Sequence, residues 1–374
     1  MEKDAIERIE LRLIENQVKS ARSHGSGHVS LVVQRVIVRV LTRDGLEGWG
    51  EAAPWAPFGN VARGTLATLE AEIAPHLIGA DPAGITACMA GLEGLAGHHE
   101  AKAAVDMALW DIAGKRAGVP VYALLGGKVR DALALSFSIA NPDFDADLAR
   151  AQEMFAGGHR VLKVKTGYLE HREDLRRLER LREGLEGLDL RVDYNQGLAV
   201  FDALRKLRDV ERFAPTFIEQ PIPRGQEAAL AGLAAALDAP VLADESVYSP
   251  VEMLRAAGER WADCVSIKLM KCGGFGPARA IDAIAAAAGM PSYGGTLWEG
   301  GIAAAAGVHL LSTLPNCSLG AEFYMTGYSL VRDICPDPLR TGGGYVRAPD
   351  GPGLGVAIDL AELAAQTVAM VAVG

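Results

Sequence analysis

The 374-residue chain is most informative first in what it has little of. No apolar run reaches the roughly 18 uninterrupted residues that a membrane-crossing helix needs, so no bilayer-spanning segment is expected. The opening stretch, MEKDAIERIELRLIENQ, alternates charged and apolar residues and lacks the apolar core of a secretion signal; a cytoplasmic location is the expectation. Basic residues are outnumbered, 37 Lys and Arg against 47 Asp and Glu, for a net charge of −10. That balance argues against a nucleic-acid or anionic-membrane partner, because phosphate backbones are bound by clustered Lys and Arg. Cysteine is scarce: Cys88, Cys264, Cys272, Cys317 and Cys335 form an odd, scattered set without CxxC spacing, which reads as reduced thiols and not as a disulfide framework.

What is present points to a globular chain, with 49% hydrophobic and 22% charged residues. A β/α barrel takes roughly 250 residues, so this length suits a barrel with a smaller attached domain. Residues 6–17 and 30–42 read as strands, and Arg43-Asp44-Gly45 followed by LEGWGEA supplies a turn and a third strand of an antiparallel meander. The intervening segment 19–28 (KSARSHGSGH) is polar and contains glycine, the composition of a mobile loop able to close over a site. Residues 63–78 and 99–117 have helical periodicity, the second ending at Gly118 and Pro120. These observations predict an α+β capping domain over residues 1–128, completed by the Pro- and Gly-rich tail 325–374, around a barrel over 129–324. Within the barrel, strand ends fall near Lys163, Asp193, Glu219, Asp244, Lys268 and Thr296, at steps of 24 to 30 residues, about what a strand, a turn, a helix and a return turn require.

The strand ends carry the chemistry. In VLKVKT (161–166), Lys163 and Lys165 alternate to the same face, and two buried ammonium groups that close would depress each other, leaving one able to act as a base. On a solvated edge strand the same pattern would mean nothing. The next three strands end in RVDYNQ (191–196), FIEQP (217–221) and VLADES (241–246), placing Asp193, Glu219 and Asp244 at one barrel end. Any one of them alone reads as a surface acid or a helix cap. Three in register would repel one another without a cation, and hard oxygen ligands suit Mg²⁺ or Mn²⁺. One strand later, CVSIKLMKCGG (264–274) sets Lys268 across the mouth from Lys163 and Lys165; Lys271, in the following loop, reads as solvated or structural. His98 and His99 have no matching partners, and the alternating charges of 170–180 read as an exposed helix face.

The order KxK, DxN, EQP, ADES and IKLMKCGG resembles the enolase superfamily, and within it the muconate-lactonizing branch of the mandelate racemase/muconate lactonizing enzyme group. The resemblance runs through nearly the whole chain, including DMALWDIAGKRAGVPVYALLGG and the tail PGLGV. It implies an α/β fold, a (β/α)7β modified TIM barrel with an α+β N-terminal capping domain, and a homo-oligomer from dimer to octamer. It also implies one Mg²⁺ or Mn²⁺ per active site held by Asp193, Glu219 and Asp244, with Lys165 as base on one face of a small carboxylate substrate and Lys268 on the other. Lys163 would tune Lys165 and contact the substrate carboxylate. This pairing of a Lys or His base with Mg²⁺ is general to the superfamily.

The segments YGGTLWEGG (293–301) and GAEF (320–323) are similar to the seventh- and eighth-strand segments of muconate cycloisomerases, favouring interconversion of cis,cis-muconate and muconolactone through an enolate. The Asp-x-Asp pair by which dipeptide epimerases of this branch hold a substrate ammonium is missing at Glu322-Phe323-Tyr324. Racemisation or epimerisation of another N-substituted amino acid, and dehydration of a hydroxy acid, start from the same proton abstraction and stay open. A non-enzymatic scaffold would not repay the burial of lysines on both faces. Candidate substrate contacts are Asn195, Thr296, Trp298, Glu299, Glu322, His24 and Trp55. Trp298 is bulkier than the aliphatic residue that the muconate pattern suggests; with Trp55 and Phe58 it could equally pack lid against barrel, and His24 and His28 could be solvated loop histidines.

Overall fold

The computed structural model describes residues 4–29, 31–322, 325–336 and 339–374. Its smaller layer is an antiparallel sheet of β1 (Ile6–Gln17), β2 (Val32–Thr42) and β3 (Glu47–Ala52), joined at the outer edge of β1 by a C-terminal strand, β11 (Thr367–Val373). Alternation builds it: Ile6, Ile9, Leu11 and Leu13 of β1 are buried with Val36, Val38 and Val40 of β2, β-branched residues suited to a pleated surface. Helix α1 (His99–Ala117) lies across β3. Most of its side chains are buried because it is sandwiched between this sheet and the barrel, and it stops where Gly118 adopts a left-handed conformation ahead of Pro120. The predicted helix over 63–78 forms, but a π-helical turn at Leu69–Ile73 interrupts it.

The larger layer is a parallel sheet whose strands follow one another in sequence: β4 (Ser136–Ile139), β5 (Val161–Lys165), β6 (Asp189–Asp193), β7 (Ile218–Glu219), β8 (Val241–Ala243), β9 (Cys264–Ile267) and β10 (Ser292–Gly294). Ala321 bridges Gly294 at one edge and Leu135 at the other, so the sheet curls shut through an eighth position only a bridge wide. This is the expected (β/α)7β barrel. The predicted strand over 133–139 is divided: Leu133–Ala134 pairs with Tyr345–Arg347, and Ser136 onward enters the barrel. Outward residues such as Val192, Ile218, Val241, Val265 and Ile267 pack under the surrounding helices. Inside, Phe217, Leu242, Cys264 and Tyr293 form an apolar plug below the mouth. Arg191 lies 5.0 Å from the ring centres of both Phe217 and Tyr293.

Two helices that follow barrel strands receive caps from elsewhere in the fold. Helix α2 (Phe275–Ala287) begins with the Phe275 N–H donating to Asp106 of α1 at 2.6 Å, and helix α3 (Gly301–Ser312) begins against Glu51 of β3. Among the described residues, no helix is long and apolar enough to cross a membrane. All five cysteines are buried free thiols.

Candidate active site

Strand register assembles the mouth. Lys165 pairs with Asp193 across β5 and β6, Asp193 pairs with Glu219 across β6 and β7, and Asp244 follows the end of β8. Because side chains alternate, Lys163 and Lys165 rise on the inner face above the plug, as the sequence predicts. Lys163 Nζ reaches Glu219 at 3.1 Å, Asp193 at 3.2 Å and Glu322 at 2.6 Å; Lys165 Nζ reaches Asp193 Oδ2 at 2.5 Å. Opposite them, Lys268 Nζ lies 2.5 Å from Asp244 Oδ2. Lys271 is structural: fully buried, it donates to Asp244 Oδ1 at 2.9 Å and to the Asp244 and Ser266 carbonyls at 2.7 and 2.9 Å.

At Lys163 the expected depression by a neighbouring lysine does not appear. Burial pulls the Lys163 ammonium down, but Glu219, Glu322, Tyr293 and Asp193 outweigh it and hold the group well above the ordinary lysine value. Burial acts likewise on Lys268, and Asp244 foremost overcomes it and raises the group. The expectation counted the lysines and omitted the acids interleaved with them. Conversely, burial would raise Asp193 and Asp244, yet Lys165 and Lys163 bring the first down and Lys268 and Lys271 the second. Burial and the neighbouring Asp193 push Glu219 up.

Asp193, Glu219 and Asp244 are all completely buried. Among the described residues, no three His, Cys, Asp or Glu side chains converge tightly enough to form a ready-made metal cage, because each of these three carboxylates turns to a lysine. The donor set nevertheless fits a hard divalent cation: three buried oxygen donors on adjacent strand ends, raising one another's affinity for a positive charge.

A small cavity between the lysines is lined by His24, Trp55, Lys165, Asn195, Lys268, Thr296, Leu297, Trp298 and Glu322. Six of the seven expected substrate contacts therefore meet there. The seventh, Glu299, does not: its carboxylate is buried behind the wall, accepting the Leu297 N–H. The segment expected to be a mobile loop is a tight hairpin, Arg22–His24 against Gly27–Val29, with Arg22, Ser23 and His24 buried. It seats closely because Gly25 packs on the Tyr194 carbonyl and Gly197, where a Cβ would stand 1.9 Å from that carbonyl oxygen. His24 thus belongs to the cavity wall, its ring 5.1 Å from Trp55, whereas His28 is exposed and hydrogen-bonded to Ser23. Burial, then Lys165 and Arg22, lower His24 well below the usual imidazole range, so it is neutral at pH 7. Its Nδ1 faces the Asn195 carbonyl oxygen at 3.3 Å and so carries the proton; Nε2 has no partner among the described residues. Trp298 packs among Val18, Val29, Val33 and Leu330, and Trp55 stacks on Phe58, whose ring is 4.6 Å from Lys268 Nζ.

Sequence reasoning passed over Gln220 and Glu245. Gln220 Oε1 accepts the backbone N–H groups of Asp244 and Ser246 while its amide donates to Ser246 Oγ, fixing the turn that presents Asp244. Gln220, Asn195 and Gln196 hold positive φ at 32°, 40° and 69°, sparsely populated backbone of the kind that gathers at functional sites. Glu245, completely buried, accepts from Asn195 at 3.3 Å, and burial and Asp244 raise its carboxyl. The signal was the carboxylate or amide flanking each recognised acid. Phe323 and Tyr324 lie outside the described residues.

A curled parallel barrel with strand-end lysines and carboxylates under an α+β cap defines an enolase-type enzyme. Residues 8–126 match the mandelate racemase/muconate lactonizing enzyme N-terminal domain, and 146–363 the enolase C-terminal domain-like family. The chain belongs to the mandelate racemase/muconate lactonizing enzyme group of the enolase superfamily, whose members generally use a divalent metal. It is 34% identical to muconate cycloisomerase 1 of Pseudomonas putida, over 96% of this chain and 97% of that one. Among solved structures it is similar to a muconate cycloisomerase from Azorhizobium caulinodans (46% identity, TM-score 0.85, 98% of this chain and 99% of that one). It is also similar to an N-succinyl Arg/Lys racemase from Bacillus cereus (29% identity, TM-score 0.94, 99% and 100%).

Proposed function

We propose that the protein is a muconate cycloisomerase, interconverting cis,cis-muconate and muconolactone, with Lys165 as the acid and base at the α-carbon. The observation that carries this reading is the single cavity in which Lys165 and Lys268 stand on strands from opposite sides of the mouth, beside three buried carboxylates. In the lactonizing direction, one substrate carboxylate oxygen adds to the far alkene carbon. The displaced π electrons come to rest on the other carboxylate as an enolate, and the Lys165 ammonium delivers a proton to the adjacent carbon. In reverse, neutral Lys165 takes that proton and the C–O bond breaks. Lys268, on the opposite face, steadies the growing negative charge as an ammonium, and Lys163 tunes Lys165 and contacts the carboxylate that becomes the enolate. Asp193, Glu219 and Asp244 would hold one Mg²⁺ or Mn²⁺, which supplies Lewis-acid stabilisation of the enolate when bound.

The resemblance to muconate cycloisomerases supports this choice of substrate. One observation favours a second reading, racemisation of an N-acylated amino acid. Neutral His24 offers the cavity a lone pair at Nε2, which suits a substrate N–H better than a second carboxylate, and lysines on both faces are what a two-base racemase needs. The deciding experiment follows the diene absorbance of cis,cis-muconate with Mn²⁺ in D₂O, for wild type and Lys165→Ala. Metal-dependent loss that places one deuterium in the lactone and vanishes in the variant is the expected result. No turnover by folded, metal-loaded enzyme, together with α-deuterium exchange into N-succinyl amino acids, would replace cycloisomerisation with racemisation.

A further inference from the structure

Glu51 lies in the capping sheet, outside every motif that marks the barrel, yet it is completely buried and touches the barrel at one place. Its Oε1 accepts the Gly300 N–H at 2.5 Å and its Oε2 the Ala303 N–H at 3.0 Å, capping α3. Arg35, on the adjacent strand β2 and also fully buried, donates Nη1 to the same Oε1 at 2.5 Å and is itself held by Asn16 Oδ1 through Nε and Nη2 at 3.1 and 2.6 Å. Asp333 completes the group, accepting the Gly301 N–H at 2.8 Å. The fit admits no slack: a Cβ on Gly300 would stand 1.3 Å from Arg35 Nη1. Immediately before this anchor come Thr296, Leu297 and Trp298, the wall of the cavity that faces Lys165 and Lys268. Between them lies Glu299, folded back on the Leu297 N–H, so displacement of Gly300 passes directly into the wall.

We propose that Glu51, oriented by Arg35, is a positioning residue that fixes the Thr296–Gly300 wall against the two lysines, so that the capping domain governs substrate placement through the seventh barrel loop. The charge is essential to this role. Gly300 N–H, Ala303 N–H and Arg35 Nη1 are all donors, and a carboxylate answers all three, in line with the positive end of the helix dipole. A glutamine of the same shape has one acceptor and one donor, so it must set an N–H against an N–H. Glu51→Gln is therefore isosteric yet removes one charge-assisted contact. The proposal rests on the reading that this cavity is where catalysis occurs.

The test uses the full chain loaded with Mn²⁺. Amide exchange is measured by mass spectrometry for wild type, Glu51→Gln and Asp333→Asn, alongside steady-state turnover of whichever acid the wild type processes. The expected result is faster exchange confined to about residues 296–304. In Glu51→Gln, kcat should fall about ten- to a hundredfold, as loss of one such buried contact predicts, with KM within about threefold. Asp333→Asn should show the same pattern more weakly, because Asp333 accepts one backbone N–H of this turn, that of Gly301, where Glu51 accepts two. Local loosening with wild-type kcat would overturn the proposal, as would exchange accelerated throughout the chain with unchanged activity per folded molecule, the signature of a purely structural pair. If the wild type leaves muconate untouched but exchanges the α-proton of another acid, the cycloisomerase reading fails while the variant-to-wild-type ratio still decides the clamp.

Discussion

Asp106 offers a test of how the two domains are joined. It is buried on α1 and accepts the Phe275 N–H, and burial pushes its carboxyl up from 3.8 to about 7. The folded protein therefore prefers the neutral carboxyl more strongly than the unfolded chain does. Below about pH 4 both states are protonated and the group costs nothing; as pH rises from about 4 to about 7 the unfolded chain ionises first, and stability is lost across that window. The gap corresponds to about 4 kcal/mol. For a chain of this length that is roughly 5 °C in the unfolding midpoint, since the entropy of unfolding scales with residue number. Asp106→Asn keeps an acceptor for the Phe275 N–H and cannot ionise. The assay is the unfolding midpoint of wild type and variant, by circular dichroism, at half-unit steps from pH 4.5 to 8.5. The difference between the two should move by roughly 4 °C in favour of the variant across this range, the first part of the loss lying below pH 4.5, on top of a constant offset from the altered hydrogen bond between Asp106 and Trp110. A difference that stays flat with pH would refute the reasoning, because every other titrating group is common to both proteins.

Three substitutions in and around the site have further outcomes. Lys268→Met leaves Asp244 paired with Lys271, so it should fold with little change in midpoint and lose turnover by at least a hundredfold; Lys271→Met leaves Asp244 its pair with Lys268 but strands two buried carbonyls and Asp244 Oδ1, and should cost about 3–5 kcal/mol, seen as a lowered denaturation midpoint. Trp298→Leu widens the cavity wall and should raise kcat/KM for muconates substituted on the diene relative to muconate, at a stability cost of about 2 kcal/mol from lost contacts with Val18, Val33 and Leu330; unchanged relative rates would show that the indole only packs.

The barrel was legible because its period is imposed by geometry: a strand, a helix and two turns consume a nearly constant length, and a carboxylate or lysine at the end of each apolar run stands out. The cavity wall was legible at Thr296 and Trp298 for the same reason. Glu51 and Arg35 were not. Each sits in an alternating strand where a charged residue normally marks the solvent face, and alternation tells which face a side chain takes without telling what that face meets. Here it meets the barrel. The mobility of segment 19–28 was misjudged in the same way, since a polar, glycine-containing segment reads as mobile until Gly25 is seen resting on Tyr194 and Gly197. Lys271 was read as solvated or structural, and solvation is not what it has: one carbonyl-rich turn buries it as deeply as Lys268.

The charges of the mouth also bear on what the arrangement is for. Lys163, Lys165, Lys268 and Lys271 are buried together with Asp193, Glu219, Asp244, Glu245 and Glu322, each at most 6% exposed. Burying so many ions is expensive, and a well-packed apolar cluster of the same volume would serve folding as well or better. Such a cluster exists just beneath, in Phe217, Leu242, Cys264 and Tyr293, which shows that this barrel can fill its interior without charge. The boundary between plug and ions lies where each strand ends, and nearly every ion finds an opposite partner within hydrogen-bonding distance. Glu245, whose Oε2 has no partner among the described residues, has its carboxyl pushed up to about 8 by burial and then Asp244: the five acids are a surplus over the four lysines, held off by protonation. That surplus lies beside Asp193, Glu219 and Asp244, the donors suited to a divalent cation, so the electrostatics of the protein alone favour cation binding at the place where the proposed enolate would form.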